Sequence, residues 1–125
     1  MTNFIDANII VMAFTENPDK QNCRRFLANF FVTDILCLVE AQYGITKITK
    51  DKNYSTACIK SIYKLSSRIV DLDKNLLFEA LKGIRDYDLS IYDFIHYTTA
   101  LQETCSRFVS YDKDFDDLEI KRVEP

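Results

Sequence analysis

Short apolar runs alternate with longer stretches in which apolar residues recur at helical spacing. Residues 2–6 (Thr-Asn-Phe-Ile-Asp) form the first run, a short strand that Asp6 ends. Asn8 is placed to cap a helix from Ile9 to about Thr15. Asn17-Pro18 predicts the next helix, with Asn17 as N-cap and Pro18 at the first helical position. In that helix Cys23, Phe26, Leu27 and Phe30 fall on one stripe. Phe31-Val32-Thr33 reads as a second strand. Asp34 then caps a helix to about Lys50, and Asp51 opens another to Ser67, so that the two form a helical hairpin. Ile69 to Leu72 is the third strand, and Asp73 caps a helix to about Tyr87. Ser90 opens a helix sharply, with a stripe of Ile91, Phe94, Ile95, Thr98, Leu101 and Cys105. Arg107 to Ser110 is a fourth strand, and Ile120 to Val123 a candidate fifth.

Strands alternating with helices predict a three-layer α/β/α sandwich around a central, mostly parallel sheet of about four or five strands. Residues 1–125 read as a single domain, without internal repeats, linkers or low-complexity segments. Only two glycines and two prolines argue against a turn-rich β sandwich. No apolar run approaches the ~20 residues needed to cross a bilayer, and no signal peptide is evident. Cys23, Cys37, Cys58 and Cys105 are widely spaced, with no C-x-x-C pair, and predict free thiols in a reducing cytoplasm without structural zinc. A net charge of −3 gives no global attraction to nucleic acid, so any such binding needs a local basic patch.

Four carboxylates carry the chemical argument, and each has a plain alternative. Asp6 ends a strand, where open α/β sheets bind ligands, although such residues commonly just cap or turn. Glu40 is the only charge between Asp34 and Lys47, and Leu36, Cys37, Tyr43 and Gly44 around it on the helix cannot pair with it. It is therefore held neutral, neutralised by a cation brought from elsewhere, or turned to water at the helix rim. Asp93 completes an S-x-x-D capping box with Ser90, which leaves one oxygen free to coordinate. Asp112 opens the acidic run Asp112-Lys113-Asp114-Phe115-Asp116-Asp117, a solvated loop or an extension of the same edge, with Asp114 next best placed and Asp116 less so. Four acids at one sheet edge cannot all ionise without a counter-charge. Oxygen ligands alone suit Mg²⁺ or Mn²⁺, and such a site activates water and stabilises charge on a phosphodiester.

In order and spacing these motifs resemble the PIN-domain ribonucleases over essentially the whole chain, most of all the small VapC-type toxins. The family's strand followed by D-x-[NST] is matched by Phe4-Ile5-Asp6-Ala7-Asn8, and its helix acid by Leu38-Val39-Glu40-Ala41. Its L-S-x-x-D is matched by Leu89-Ser90-Ile91-Tyr92-Asp93, and its [ST]-x-D-x-D-F by Ser110-Tyr111-Asp112-Lys113-Asp114-Phe115. The resemblance implies that Asp6, Glu40, Asp93 and Asp112 are catalytic and bind metal together with Asp114, with Asn8 and Ser110 as support. It implies metal-dependent RNA cleavage with Mg²⁺ or Mn²⁺, a homodimer, and inhibition by an antitoxin protein. His96, Tyr97, Thr98 and Thr99 stand where the family has small residues, a change expected to narrow the groove or alter its substrate.

Lys52, Lys60, Lys64 and Arg68 recur on the predicted second helix of the hairpin, near Lys47 and Lys50. They read either as a solvated face or as a stripe that guides single-stranded RNA. His96, the only histidine, is a candidate proton donor. The leading function is thus an endoribonuclease acting on structured or single-stranded RNA, the toxin of a toxin–antitoxin pair. The alternatives are a housekeeping RNA-processing nuclease or a non-catalytic PIN-like module that binds RNA or protein. A phospho-accepting receiver domain ranks last, because Asp6 lacks a paired acid and Lys113 sits among acids.

Overall fold

A computed structural model describes residues 2–125. In chain order the elements are β1 (Asn3–Ile5), α1 (Ala7–Ala13), α2 (Lys20–Leu27), β2 (Phe31–Asp34), α3 (Ile35–Thr49) and α4 (Lys52–Ile62). They continue with β3 (Ser67–Val70), α5 (Lys74–Gly83), α6 (Ile91–Gln102), β4 (Arg107–Val109) and β5 (Lys121–Val123). Single 3₁₀ turns occupy Ile84–Asp86 and Lys113–Phe115. The sheet runs β3-β2-β1-β4-β5 with every strand parallel to its neighbours. Strand order therefore reverses at β1, and the crevice beyond the carboxyl ends of β1 and β4 is where such sheets take ligands. Helices α1 to α4 pack on one another, and α5 packs on α6, giving the three layers.

Residues 94–100 of α6 are all buried, so the helix is covered on every side rather than along one stripe. Beneath it Phe4 and Phe108 stack at 4.9 Å, Phe115 lies 4.2 Å from Phe108, and Tyr97 is 5.9 Å from Phe108. On the α1 side Ile5, Ile9, Ile10 and Val109 are fully buried. This tight core fixes the ends of β1 and β4, from which the site is built. No helix among the described residues is long and apolar enough to cross a membrane.

Several boundaries differ from the sequence expectation. The cap of α1 is Asp6, not Asn8, because its carboxylate accepts from the Ala7 N–H at 2.8 Å. Helix α2 begins at Lys20. Asn17 holds the preceding turn instead, donating from its side-chain amide to the carbonyls of Met12 and Thr15 and accepting from the Asp19 N–H. Helix α4 ends at Ile62, and Ser67 already belongs to β3. Phe30 lies outside α2 and is exposed, so it does not extend the buried stripe.

Candidate active site

Each of the four carboxylates is placed by a strand end or a helix start. Asp6 follows β1 directly, and its N–H donates to the Val109 carbonyl at 3.1 Å, tying it to the end of β4. Its Oδ2 accepts from the Ser110 hydroxyl at 2.7 Å and from the Asn8 amide at 3.4 Å. Ser110 Oγ accepts in turn from Asn8 Nδ2 and from the Asp112 N–H, both at 3.0 Å. The Asn8 carbonyl oxygen receives the Tyr111 N–H at 3.2 Å. Asn8 and Ser110 thus lock Asp6 and the Asp112 backbone into one hydrogen-bonded unit. Arg122, which the sequence reading did not consider, donates to the Ser110 carbonyl at 2.9 Å and to Asp116 at 2.6 Å. Asp116 is thereby taken up in an ion pair.

Asp93, Asp112 and Asp114 each offer a carboxylate oxygen such that the three atoms lie within 4.8 Å of one another. Only half of the expected capping box forms: the Asp93 N–H donates to Ser90 Oγ at 3.2 Å, and the Asp93 carboxylate makes no return bond. That carboxylate is left facing its acidic neighbours. Burial first, and then the charges on Asp112 and Asp6, push its pKa up to about 6. Burial likewise raises the pKa of Asp6, against the opposing effects of nearby His96, the Ser110 hydroxyl and the Ala7 N–H. Glu40 adds a further unfavourable charge to both. The donor set is all oxygen, crowded and electrostatically uncompensated, which fits a hard divalent cation.

Glu40 sits apart from that three-oxygen cluster. Its Oε1 meets Nε2 of His96 at 2.6 Å, and Nδ1 of the same ring meets Asp34 Oδ2 at 2.8 Å. The partner brought to Glu40 from elsewhere is therefore the His96 ring on α6. His96 is not a free proton donor, because its side chain is wholly buried and both ring nitrogens are engaged. Burial disfavours a charge on the ring, but Cys37, Asp34 and Glu40 around it outweigh this and hold its pKa above the ordinary imidazole value. Burial pushes the Cys37 thiol well up, so the ring's anionic partners are the two carboxylates. In the sequence Asp34 is recognisable only as a helix cap. A signal was present all the same: a histidine in the apolar run Phe94-Ile95-His96-Tyr97 has to find buried polar partners.

Two other expectations change. His96, Tyr97, Thr98 and Thr99 do not narrow the groove, since all four are buried. Tyr97 accepts from the Ile120 N–H at 2.9 Å and donates to Glu119 at 3.2 Å. Nor do the four basic residues share one helix. Lys52 and Lys60 are on α4, Lys64 is in the turn after it, and Arg68 is on β3, paired with Glu103. That turn leads into the amino end of β3, the sheet edge opposite the carboxylates.

The fold and the edge chemistry define a parallel α/β domain with carboxylates gathered at the point where its strand order reverses. Residues 4–121 match the family of the PIN domain, and the chain belongs to that family. Among solved structures, VapC20 of Mycobacterium tuberculosis, a toxin that cleaves the sarcin-ricin loop, superposes with a TM-score of 0.83 at 15% identity, covering 98% of this chain and 99% of that one. A toxin–antitoxin complex from Klebsiella pneumoniae gives 0.75 at 14% identity over 97% and 95% of the two chains. VapBC2 of Rickettsia felis, bound to a DNA fragment from their promoter, gives 0.71 at 21% identity over 99% and 98%. At these identities the likeness is one of fold. No curated protein matches the sequence.

Proposed function

We propose that the protein is a divalent-metal-dependent endoribonuclease, the toxin of a toxin–antitoxin pair. The observation that carries this reading is the convergence of Asp93, Asp112 and Asp114 beside buried Asp6 at the switch point of a PIN-domain sheet. Asp93 and Asp112 would hold Mg²⁺ or Mn²⁺ together with Glu40, with Asp114 at the exposed rim and Asp6 behind. When bound, such an ion makes water more acidic and stabilises charge on a phosphodiester. The chain's own residues supply the frame. Ser110 and Asn8 orient Asp6, and the Asp112 backbone is fixed through Ser110 Oγ.

The similar solved structures include a toxin that cleaves the sarcin-ricin loop, a toxin–antitoxin complex and VapBC2 bound to promoter DNA, which supports RNA as substrate and an antitoxin as protein partner. Val39, Tyr43 and Tyr63 on the α3–α4 hairpin, and Phe78 and Leu81 on α5, are more than half exposed. Apolar surface of that extent favours both an antitoxin and a homodimer.

The test is cleavage of total cellular RNA by purified protein in Mg²⁺ or Mn²⁺, then in EDTA, with Asp6→Asn and Asp93→Asn alongside. Discrete metal-dependent products that vanish in both variants are expected. Cleavage that survives both substitutions, or persists in EDTA, overturns the reading.

A further inference from the structure

Glu40 lies on a stretch of α3 with no partner of its own, and a long carboxylate there is free to turn toward water. It does not. Its Oε1 is engaged by His96, whose ring is anchored on the far side by Asp34, and Asp34 is itself the cap of α3, accepting from the Cys37 N–H at 2.7 Å. The three side chains close a loop from the first residues of α3, through the middle of α6, back to the second turn of α3. The side chains of Asp34 and His96 are fully buried, while that of Glu40 is 39% exposed, so the loop runs from the interior out to the site.

Each of the two contacts needs one proton between its partners. Wherever those protons sit, the trio carries one net negative charge rather than two. Glu40 Oε1 is occupied, and Oε2 has no hydrogen-bond partner among the described residues. A carboxylate oxygen of Asp6, the Cys37 sulfur and a ring nitrogen of His96 lie within 4.8 Å of one another, so the trio abuts the acidic edge, and Glu40 acts electrostatically on both Asp6 and Asp93. Groups that orient a metal's carboxylate ligands from behind fix ligand geometry in just this manner.

We propose that His96 is a positioning residue: anchored to Asp34, it holds one oxygen of Glu40 and presents the other to the cation. The proposal rests on the metal-dependent reading above and assigns Glu40 a single coordinating oxygen.

Because the chain has one histidine, the ring-nitrogen NMR signals of untagged, isotope-labelled protein belong to His96 alone. Titrating Mg²⁺ into the wild-type protein should shift the Nε2 signal, and Asp93→Asn should abolish the shift. A signal that stays in place while calorimetry records Mg²⁺ binding overturns the role of His96 and leaves the metal site standing. A shift that persists in Asp93→Asn reports Mg²⁺ bound elsewhere and overturns the proposal too. No Mg²⁺ binding at all overturns both the metal site and the role of His96.

Two variants separate positioning from space-filling. His96→Gln keeps a donor toward Glu40, whereas His96→Asn keeps only the contact to Asp34. Mn²⁺ affinity, read by electron paramagnetic resonance, should stay near wild type in the first and fall about 10–100-fold in the second. Affinities that simply follow the melting temperatures of the two variants overturn the proposal.

Discussion

Asp93 retains its proton up to about pH 6 in the metal-free protein, against 3.8 for an unperturbed aspartate. Between those values the folded state binds a proton that the unfolded chain has released. The stabilisation from that proton is complete below the lower value and is lost as pH rises through the upper one. Asp6 is shifted in the same direction. Thermal melts in EDTA should therefore give a higher Tm at pH 5 than at pH 7, and Asp93→Asn should reduce the difference, with Asp6 and His96, whose pKa values are also raised, supplying the rest. With saturating Mg²⁺ the trend should reverse, because protons then compete with the ion. A pH dependence in EDTA that Asp93→Asn leaves intact would place the responsible group elsewhere. At this scale the sequence showed the acids but not their partners. Residue type and strand-end position mark Asp6 and Asp112. That Asp34 reaches His96 depends on how α6 crosses β2 and α3, which no local pattern encodes.

The placement of α3 against α1 matters because α3 carries Glu40. Gly44 makes the close approach possible: a Cβ built there would sit 2.9 Å from Cγ2 of Val11. Helix propensity favours Ala over Gly by about 1 kcal/mol, whereas overpacking costs about 1–3 kcal/mol, so Gly44→Ala should be destabilising on balance. Adding Val11→Ala should relieve the clash. Denaturant midpoints of the two single variants and the double variant would show it as a coupling of about 1 kcal/mol or more. Strict additivity would mean that the helices separate without cost. Element types were legible from periodicity and capping residues throughout: Asp34, Asp51, Asp73 and Ser90 all accept the expected backbone N–H at their helix starts. The ends were less so. No glycine marks the end of α3, where Lys50 adopts a left-handed φ of 59°. The basic spacing of Lys60, Lys64 and Arg68 suggested a helix that in fact stops at Ile62, where the chain must turn to enter the sheet.

At the scale of the whole molecule, alternation of strands and helices in the sequence was sufficient to reach the layer architecture, and the four motifs together reached the family. The order of strands was not readable, since it follows from which crossovers pack and not from any one segment. Surface apolarity was also hidden, because Val39, Tyr43, Phe78 and Leu81 look like core positions until the packing is known. If those residues bury one another between two copies, sedimentation equilibrium should give twice the chain mass of 14.6 kDa. Tyr43→Lys with Phe78→Lys should return it to the single value, and a wild-type monomer at tens of micromolar would remove the dimer. The position of β1 between β2 and β4 has one more consequence, for synthesis. Asp6 precedes Asp112 by most of the chain, and its strand is completed on one side only by residues 107–109, which Asp112 follows. A nascent chain that has not yet released that stretch from the ribosome holds its acids apart on an open sheet edge. The carboxylates at the switch point are therefore gathered only once β4 has docked on β1, late in synthesis.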